Sequence, residues 1–138
     1  MSPRDTGTGQ VLERMIVPAL LRGGYEVEEQ ILIENRPGGG KHRVDAVVSK
    51  DGRRLLISLK WQQVAGTAEQ KVPFEVICLA EAVRAGQYDQ AYLVLGGEGW
   101  TLRDYFISGA LAEHLKNGET VRIVTLEGFI ALANHSGL

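Results

Sequence analysis

Cysteine is almost missing from this chain: Cys78 is its one example. A lone cysteine excludes an intramolecular disulfide framework and fits a reducing compartment. Its setting in an apolar periodic stretch reads as a small buried hydrophobe. Also absent is any run of roughly 18 apolar residues, and the amino terminus is polar and glycine-bearing, so neither a membrane span nor a secretory signal is read. A cytoplasmic location is the expectation. His42, His114 and His135 share no zinc-site spacing, and no cysteine pair exists to help them. No serine stands in a nucleophile-elbow pattern, which leaves triad hydrolysis without support. The glycines at Gly96, Gly97 and Gly99 lack the full dinucleotide fingerprint, so a nucleotide-binding domain is the weakest of the readings considered. A net charge of −2 excludes a generally basic nucleic-acid coat.

What the sequence does contain is enough for one core: 138 residues with 44% hydrophobic content suit a single domain spanning residues 1–138. The most informative stretch runs from Lys41 to Lys71. Within it Asp51-Gly52 is a hairpin signal between two runs of strand composition. A two-residue loop pairs Lys50 with Arg53 and places Asp45 across from Ser58. Alternation then puts Arg43, Asp45 and Val47 on one face with Leu56, Ser58, Lys60 and Gln62. The other face carries Val44, Ala46, Val48, Leu55, Ile57, Leu59 and Trp61 and reads as core. Opposed Cβ atoms in such a pair lie about 4.5–5.5 Å apart and diagonal ones about 7–8 Å, so Asp45, Ser58 and Lys60 can reach one ion or phosphate. A register slip of one residue would send that set to the opposite face.

The rest of the chain supplies the frame. After a loose start over Met1 to Gly9, Val11, Leu12, Met15, Ile16, Ala19 and Leu20 recur at helical spacing, with Pro18 predicting a bend or an early end. Glu13 lies at the margin of this stripe, either as a surface glutamate or aimed at a neighbouring polar site. Tyr25 to Glu34 reads as a strand whose phase breaks near Glu29, and Arg36 to Gly40 as a turn or loop. Thr67-Ala68-Glu69-Gln70 has the form of a capping box opening a helix through Val72, Val76, Leu79 and Val83, although Pro73 demands a separate first turn or a kink. A strand at 90–95 follows. Next comes a helix capped by Thr101 with Leu102, Tyr105, Phe106, Ala110, Leu111 and Leu115 inward, then a strand at 121–125 and a closing helix. This order predicts an α/β fold with a mixed central sheet flanked by helices.

Chemically, Asp45, Glu69 and the Leu59 carbonyl form a hard-oxygen set suited to magnesium, with Lys60 placed to stabilise developing charge. Phosphodiester hydrolysis is the implied reaction, and an ordinary polar sheet face is the plain alternative. Arg36, Lys41, Arg43, Lys50, Arg53, Arg54 and Lys60 gather about the hairpin. They suit a polyanion, or they keep a sheet edge solvated.

Asp45 in HRVDAVV, followed after the hairpin by Ser58-Leu59-Lys60 in LLISLKWQ, resembles the PD-(D/E)XK nuclease superfamily, the restriction-endonuclease-like fold with its αβββαβ core. The resemblance runs from Gln10 to about Leu95. It implies a metal-dependent DNA endonuclease using Mg2+ or Mn2+, with Asp45 as metal aspartate, Lys60 as catalytic lysine and Glu13 as the helix-one glutamate. Gln62 and Gln70 with Phe74 are similar to further motifs of that superfamily. Val44 replaces the usual proline, and Ser58 stands where the second acid belongs. Some members with serine there supply the acid from the following helix, and Glu69 is the expected substitute. Arg36, Lys41, Arg43, Gln63, Gln70 and Lys71 are the expected DNA contacts, and a homodimer is expected because one small chain offers one site. The competing reading is a catalytically degenerate DNA-binding or assembly subunit on the same fold.

Overall fold

Asp51 and Gly52 both take positive φ, 53° and 81°, the type I′ geometry whose twist matches its flanking strands. In the computed structural model, which describes residues 5–33 and 36–138, this turn joins β2 (His42–Lys50) to β3 (Arg53–Trp61). The register is the expected one, from Lys50↔Arg53 to Ala46↔Ile57. Strand β1 (Glu26–Ile33) pairs antiparallel with β2, while β4 (Gln90–Gly96) and β5 (Val121–Thr125) continue parallel from β3. The result is a mixed five-stranded sheet in the order β1-β2-β3-β4-β5. The expected end of β1 at Glu34 lies outside the described residues.

Both faces of this sheet are core. Leu55, Ile57, Leu59, Tyr92 and Val94 meet Leu12, Ile16, Leu20 and Phe129. Those partners come from the π-turn (Leu12–Ile16) that links the amino-terminal helices α1 (Asp5–Val11) and α2 (Val17–Arg22), from α2 itself and from α5 (Leu126–Asn134). On the other face Val47, Leu56, Leu93 and Leu95 meet Val72, Val76, Leu79 and Phe106, supplied by α3 (Ala68–Arg84) and α4 (Arg103–Ile107). The hairpin is thus not apolar on one side and polar on the other: its second face is buried too, and its polar residues gather at the two ends.

Several local expectations are corrected. The chain is helical from Asp5 and not loose to Gly9. Pro18 does interrupt that helix as expected, for its regular part ends early, at Val11. Lacking an N–H for the Arg14 carbonyl, it follows a π-turn in which Val17 N–H reaches back to Leu12, a common way to absorb such a defect. Pro73 sits inside one helix assigned over Ala68–Arg84, with no separate first turn. Thr67 makes no side-chain cap; the buried Gln62 side chain takes its place, accepting from Ala68 N–H at 2.9 Å. The helix expected after Thr101 breaks at Gly109, whose φ is +85°, leaving Leu102 and Tyr105 exposed.

The glycine loop after β4 has a structural purpose. Gln62 N–H donates to the Gly96 carbonyl and Gly99 N–H to the Gln62 carbonyl, so two backbone segments lie in contact. A Cβ on Gly97 would come within 2.4 Å of the Gln62 carbonyl, and one on Gly99 within 2.4 Å of the Val64 backbone. Close approach of main chains explains these glycines. No helix among the described residues is long and apolar enough to cross a membrane.

Candidate active site

A defect shared by β1 and β2 positions the first acid. The β1–β2 ladder runs Glu29↔Ala46 and then Ile31↔Val44. Between them Gln30 has φ +57°, an uncommon conformation for a residue with a side chain. Both strands change face here. Ala46 and Val48 point to the α1/α2/α5 side, yet Val44 packs with Ile33 under α3. The phase break expected near Glu29 therefore extends into β2, and Val44 does not share a face with Ala46 and Val48 as the alternation predicted. Asp45 sits at the switch, past the last β2–β3 pair, and its Oδ2 accepts from Leu59 N–H at 2.7 Å. A carboxylate thus holds the open end of the hairpin.

The same switch turns His42 toward α3, where Glu75 waits. Glu75 Oε2 accepts from Ser58 Oγ at 2.7 Å and lies 2.8 Å from His42 Nε2. Its other oxygen, Oε1, stands 3.7 Å from Lys60 Nζ. Ser58, His42 and Glu75 are all buried, while the Lys60 side chain keeps 31% of its surface. Burial pushes the Glu75 carboxyl up, but the His42 hydrogen bond, the Lys60 and His42 charges and the Ser58 hydroxyl outweigh it. The carboxyl therefore lies below its ordinary value, and Glu75 is an anion at neutral pH. The neighbouring Cys78 thiol is pushed up by burial and by the Glu75 charge, which leaves it unreactive.

Because the folded value is depressed, the stabilisation by ionised Glu75 is complete above the ordinary carboxylate value of 4.5 and is lost as pH falls through the lower folded value. Urea unfolding midpoints from pH 7 to pH 3 test this. The wild type is expected to lose stability more steeply below about pH 4.5 than Glu75→Gln; parallel curves would remove Glu75 from the acid transition.

Asp45, Ser58 and Lys60 line one cavity of about 440 Å³ together with Thr8, Arg43 and Lys71. The structure brings the expected Asp45–Ser58–Lys60 set together at this cavity; Glu75 lies outside its lining and joins the set from behind, through Ser58 Oγ and Lys60 Nζ. Leu59, expected as a carbonyl ligand, also lines the cavity. Glu69 does not. It accepts from Thr101 Oγ1 at 2.7 Å and Leu102 N–H at 2.6 Å, bonds that lower its pKa and commit it to the start of α4. Glu13 is exposed on the π-turn and does not line the cavity; Thr8 approaches from that side instead. Gln62 spans Ala68 N–H and the Gly99 carbonyl, a structural strap. Arg36, Lys41, Gln63 and Gln70 are exposed and lie outside the cavity lining.

The expected basic cluster divides. Lys50, Arg53 and Arg54 are at the turn end of the hairpin, opposite the cavity. There Lys50 bonds the Gly23 carbonyl and Ser136 Oγ, Arg53 bonds the Leu138 carbonyl, and Arg54 stacks on Tyr88. Among the described residues, only Arg43, Lys60 and Lys71 bring positive charge to the cavity.

Glu75 escaped the sequence reading although a signal was present. It shares the inward stripe of α3 with Val72, Val76 and Leu79. An acid on an apolar helical face must be paired or neutralised, which marks it for attention.

The family profile of the PD-(D/E)XK nuclease superfamily domain matches residues 4–136. No curated protein matches the chain. Among solved structures, the crystal structure of the protein of unknown function AF1548 is similar, with a TM-score of 0.51 at 12% identity. That likeness covers 80% of this chain and 54% of the other, so the chain spans about half the length of this neighbour, and the likeness speaks to fold alone.

Proposed function

The chain belongs to the PD-(D/E)XK nuclease superfamily, and from this premise we propose a divalent-metal-dependent DNA endonuclease in which Asp45 and Glu75 are the two acids and Lys60 the basic group. The family supports a nuclease-type function; the metal, the DNA substrate and internal cleavage are our reading. One observation carries it. Ser58 occupies the place of the missing acid and donates its hydroxyl to Glu75, whose other oxygen faces Lys60. The carboxylate has moved to the next helix, and the serine holds it.

The donor set fits a hard cation. Asp45, Glu75 and the Leu59 carbonyl offer oxygens only, and among the described residues no group of three or more His, Cys, Asp or Glu forms a metal cage. Magnesium and manganese accept such a sparse set because they retain waters. When bound, an ion of this kind supplies Lewis acidity to a phosphoryl oxygen and makes a water easier to deprotonate.

This chain's residues then have distinct tasks. The Leu59 N–H fixes the Asp45 carboxylate, and Ser58 with His42 fixes that of Glu75. The Lys60 ammonium, partly exposed to the cavity, donates to a non-bridging phosphate oxygen and stabilises the negative charge that grows there as water attacks. A bond forms between the water oxygen and phosphorus while the bond from phosphorus to one sugar oxygen breaks; the water gives up a proton to solvent, and the leaving sugar oxygen takes one from solvent. Arg43 and Lys71 hold adjoining phosphates. Cutting both strands requires two copies, so the active species is a homodimer.

Incubation with supercoiled, linear and branched DNA, with magnesium or manganese and then with EDTA, tests the reading. Nicks or breaks in closed circles that EDTA abolishes support it. Binding without cutting in either metal would replace it with the degenerate DNA-binding subunit.

A further inference from the structure

We infer that His42 is a positioning residue that aims Glu75 at the metal, an inference that rests on the proposed role of Glu75. Two donors converge on one oxygen of this carboxylate, since Ser58 Oγ and His42 Nε2 both reach Oε2 at 2.7 and 2.8 Å. That pins the plane of the carboxyl and leaves Oε1 on the side of Lys60, at 3.7 Å. The arrangement is paid for in an uncommon way. His42 Nδ1 is buried and has no hydrogen-bond partner, and buried polar atoms in native proteins are nearly always satisfied. Ser58 and His42 together compensate the buried charge, and two donors on one oxygen also fix its direction, on which metal-binding carboxylates depend.

Sequence and fold conspire to bring this histidine there. By simple alternation His42 would share a face with Ala46 and Val48, away from α3. The switch at Gln30 and Asp45 reverses β2, so the same defect that presents Asp45 also delivers His42 to Glu75. One backbone irregularity thereby serves both acids.

Manganese affinity, read by electron paramagnetic resonance of the free ion in titrations of the full chain, separates the possibilities, with thermal melting to confirm folding. Glutamine can present its amide near the Nε2 position, whereas asparagine is too short. His42→Gln is expected to keep affinity within a few-fold of wild type, and His42→Asn to lose about 10- to 100-fold, with both variants folded. If His42→Asn binds manganese like wild type while Glu75→Gln binds weakly, His42 is only structural and the inference fails alone. If Glu75→Gln also binds like wild type, Glu75 is no ligand, and the proposed site and this inference fall together. Should His42→Asn fail to fold, His42→Gln decides: a folded protein with affinity reduced as far as Glu75→Gln overturns the positioning role of the Nε2 donor, and retained affinity supports it.

Discussion

Lys60→Ala is expected to reduce metal-dependent cleavage of DNA by at least about 10²- to 10³-fold while leaving the melting temperature close to that of the wild type. The lysine keeps about a third of its side-chain surface and stands 3.7 Å from Glu75 Oε1, so it is a partly solvated ion pair whose loss costs little stability. At a phosphate drawn into the same cavity, however, its ammonium is the nearest fixed positive charge contributed by β3. Asp45→Ala is expected to match or exceed that loss, because it removes the oxygen donor and also leaves the Leu59 N–H without the acceptor it has at 2.7 Å. Gel assays of nicking and linearisation against time, with circular dichroism melts beside them, give both numbers. Cleavage by Lys60→Ala at more than about a tenth of the wild-type rate would remove the lysine from the reaction.

The largest loss of stability is expected from Glu75→Ala, at about 3–5 kcal/mol. The carboxylate is the common acceptor for Ser58 and His42 and the counter-charge of Lys60. Deleting it leaves two buried donors with no acceptor and opens a hole between α3 and the sheet. Glu75→Gln keeps the volume and one carbonyl acceptor, so it unfolds at a denaturant concentration much nearer the wild type. Its cleavage activity is nevertheless expected to fall as far as that of Lys60→Ala. The separation matters: a stable, inactive Glu75→Gln assigns the acid to the site, whereas a stable and active one makes it a core residue. Urea denaturation followed by fluorescence measures the difference, with Trp100 buried and bonded to the Gly96 carbonyl as one reporter.

The two strands of the hairpin were legible in the sequence because Asp51-Gly52 admits few other turns, and the register followed from it down to Ala46↔Ile57. The mixed sheet and its two helical layers were legible from the change of period after Gly66. What alternation could not reveal was the reversal of face at Asp45. It coincides with a positive φ at Gln30, at the same level of the β1–β2 ladder, and glutamine carries no local signal for that conformation. Through that reversal Val44 and His42 changed sides, and the partner of Glu75 went unseen. The choice of Glu69 over Glu75 has a related cause. Glu69 stands at a helix entrance in a capping-box pattern, and proximity to β3 recommended it. Yet helix entrances attract acids for reasons of capping alone, and here Glu69 serves the backbone of Leu102 instead. An inward acid six residues later was the more telling feature, because an unpaired charge does not survive on an apolar face.

The basic residues teach the same lesson about distance along a strand. Lys50 and Arg53 neighbour the turn, and Asp45 and Lys60 the open end. Sequence adjacency merged them into one patch, while the extended geometry of β2 and β3 separates them by most of the hairpin's length. The groups at the turn anchor the carboxyl-terminal segment, through Ser136 and Leu138.

Crystals of the protein soaked in manganese, with data collected above and below the metal's absorption edge, test the central claim most directly. The account predicts an anomalous peak in the cavity coordinated by an Asp45 oxygen and by Glu75 Oε1, with Lys60 Nζ beside it. A peak held by Glu69, or a cavity without one at concentrations that support cleavage, would contradict it.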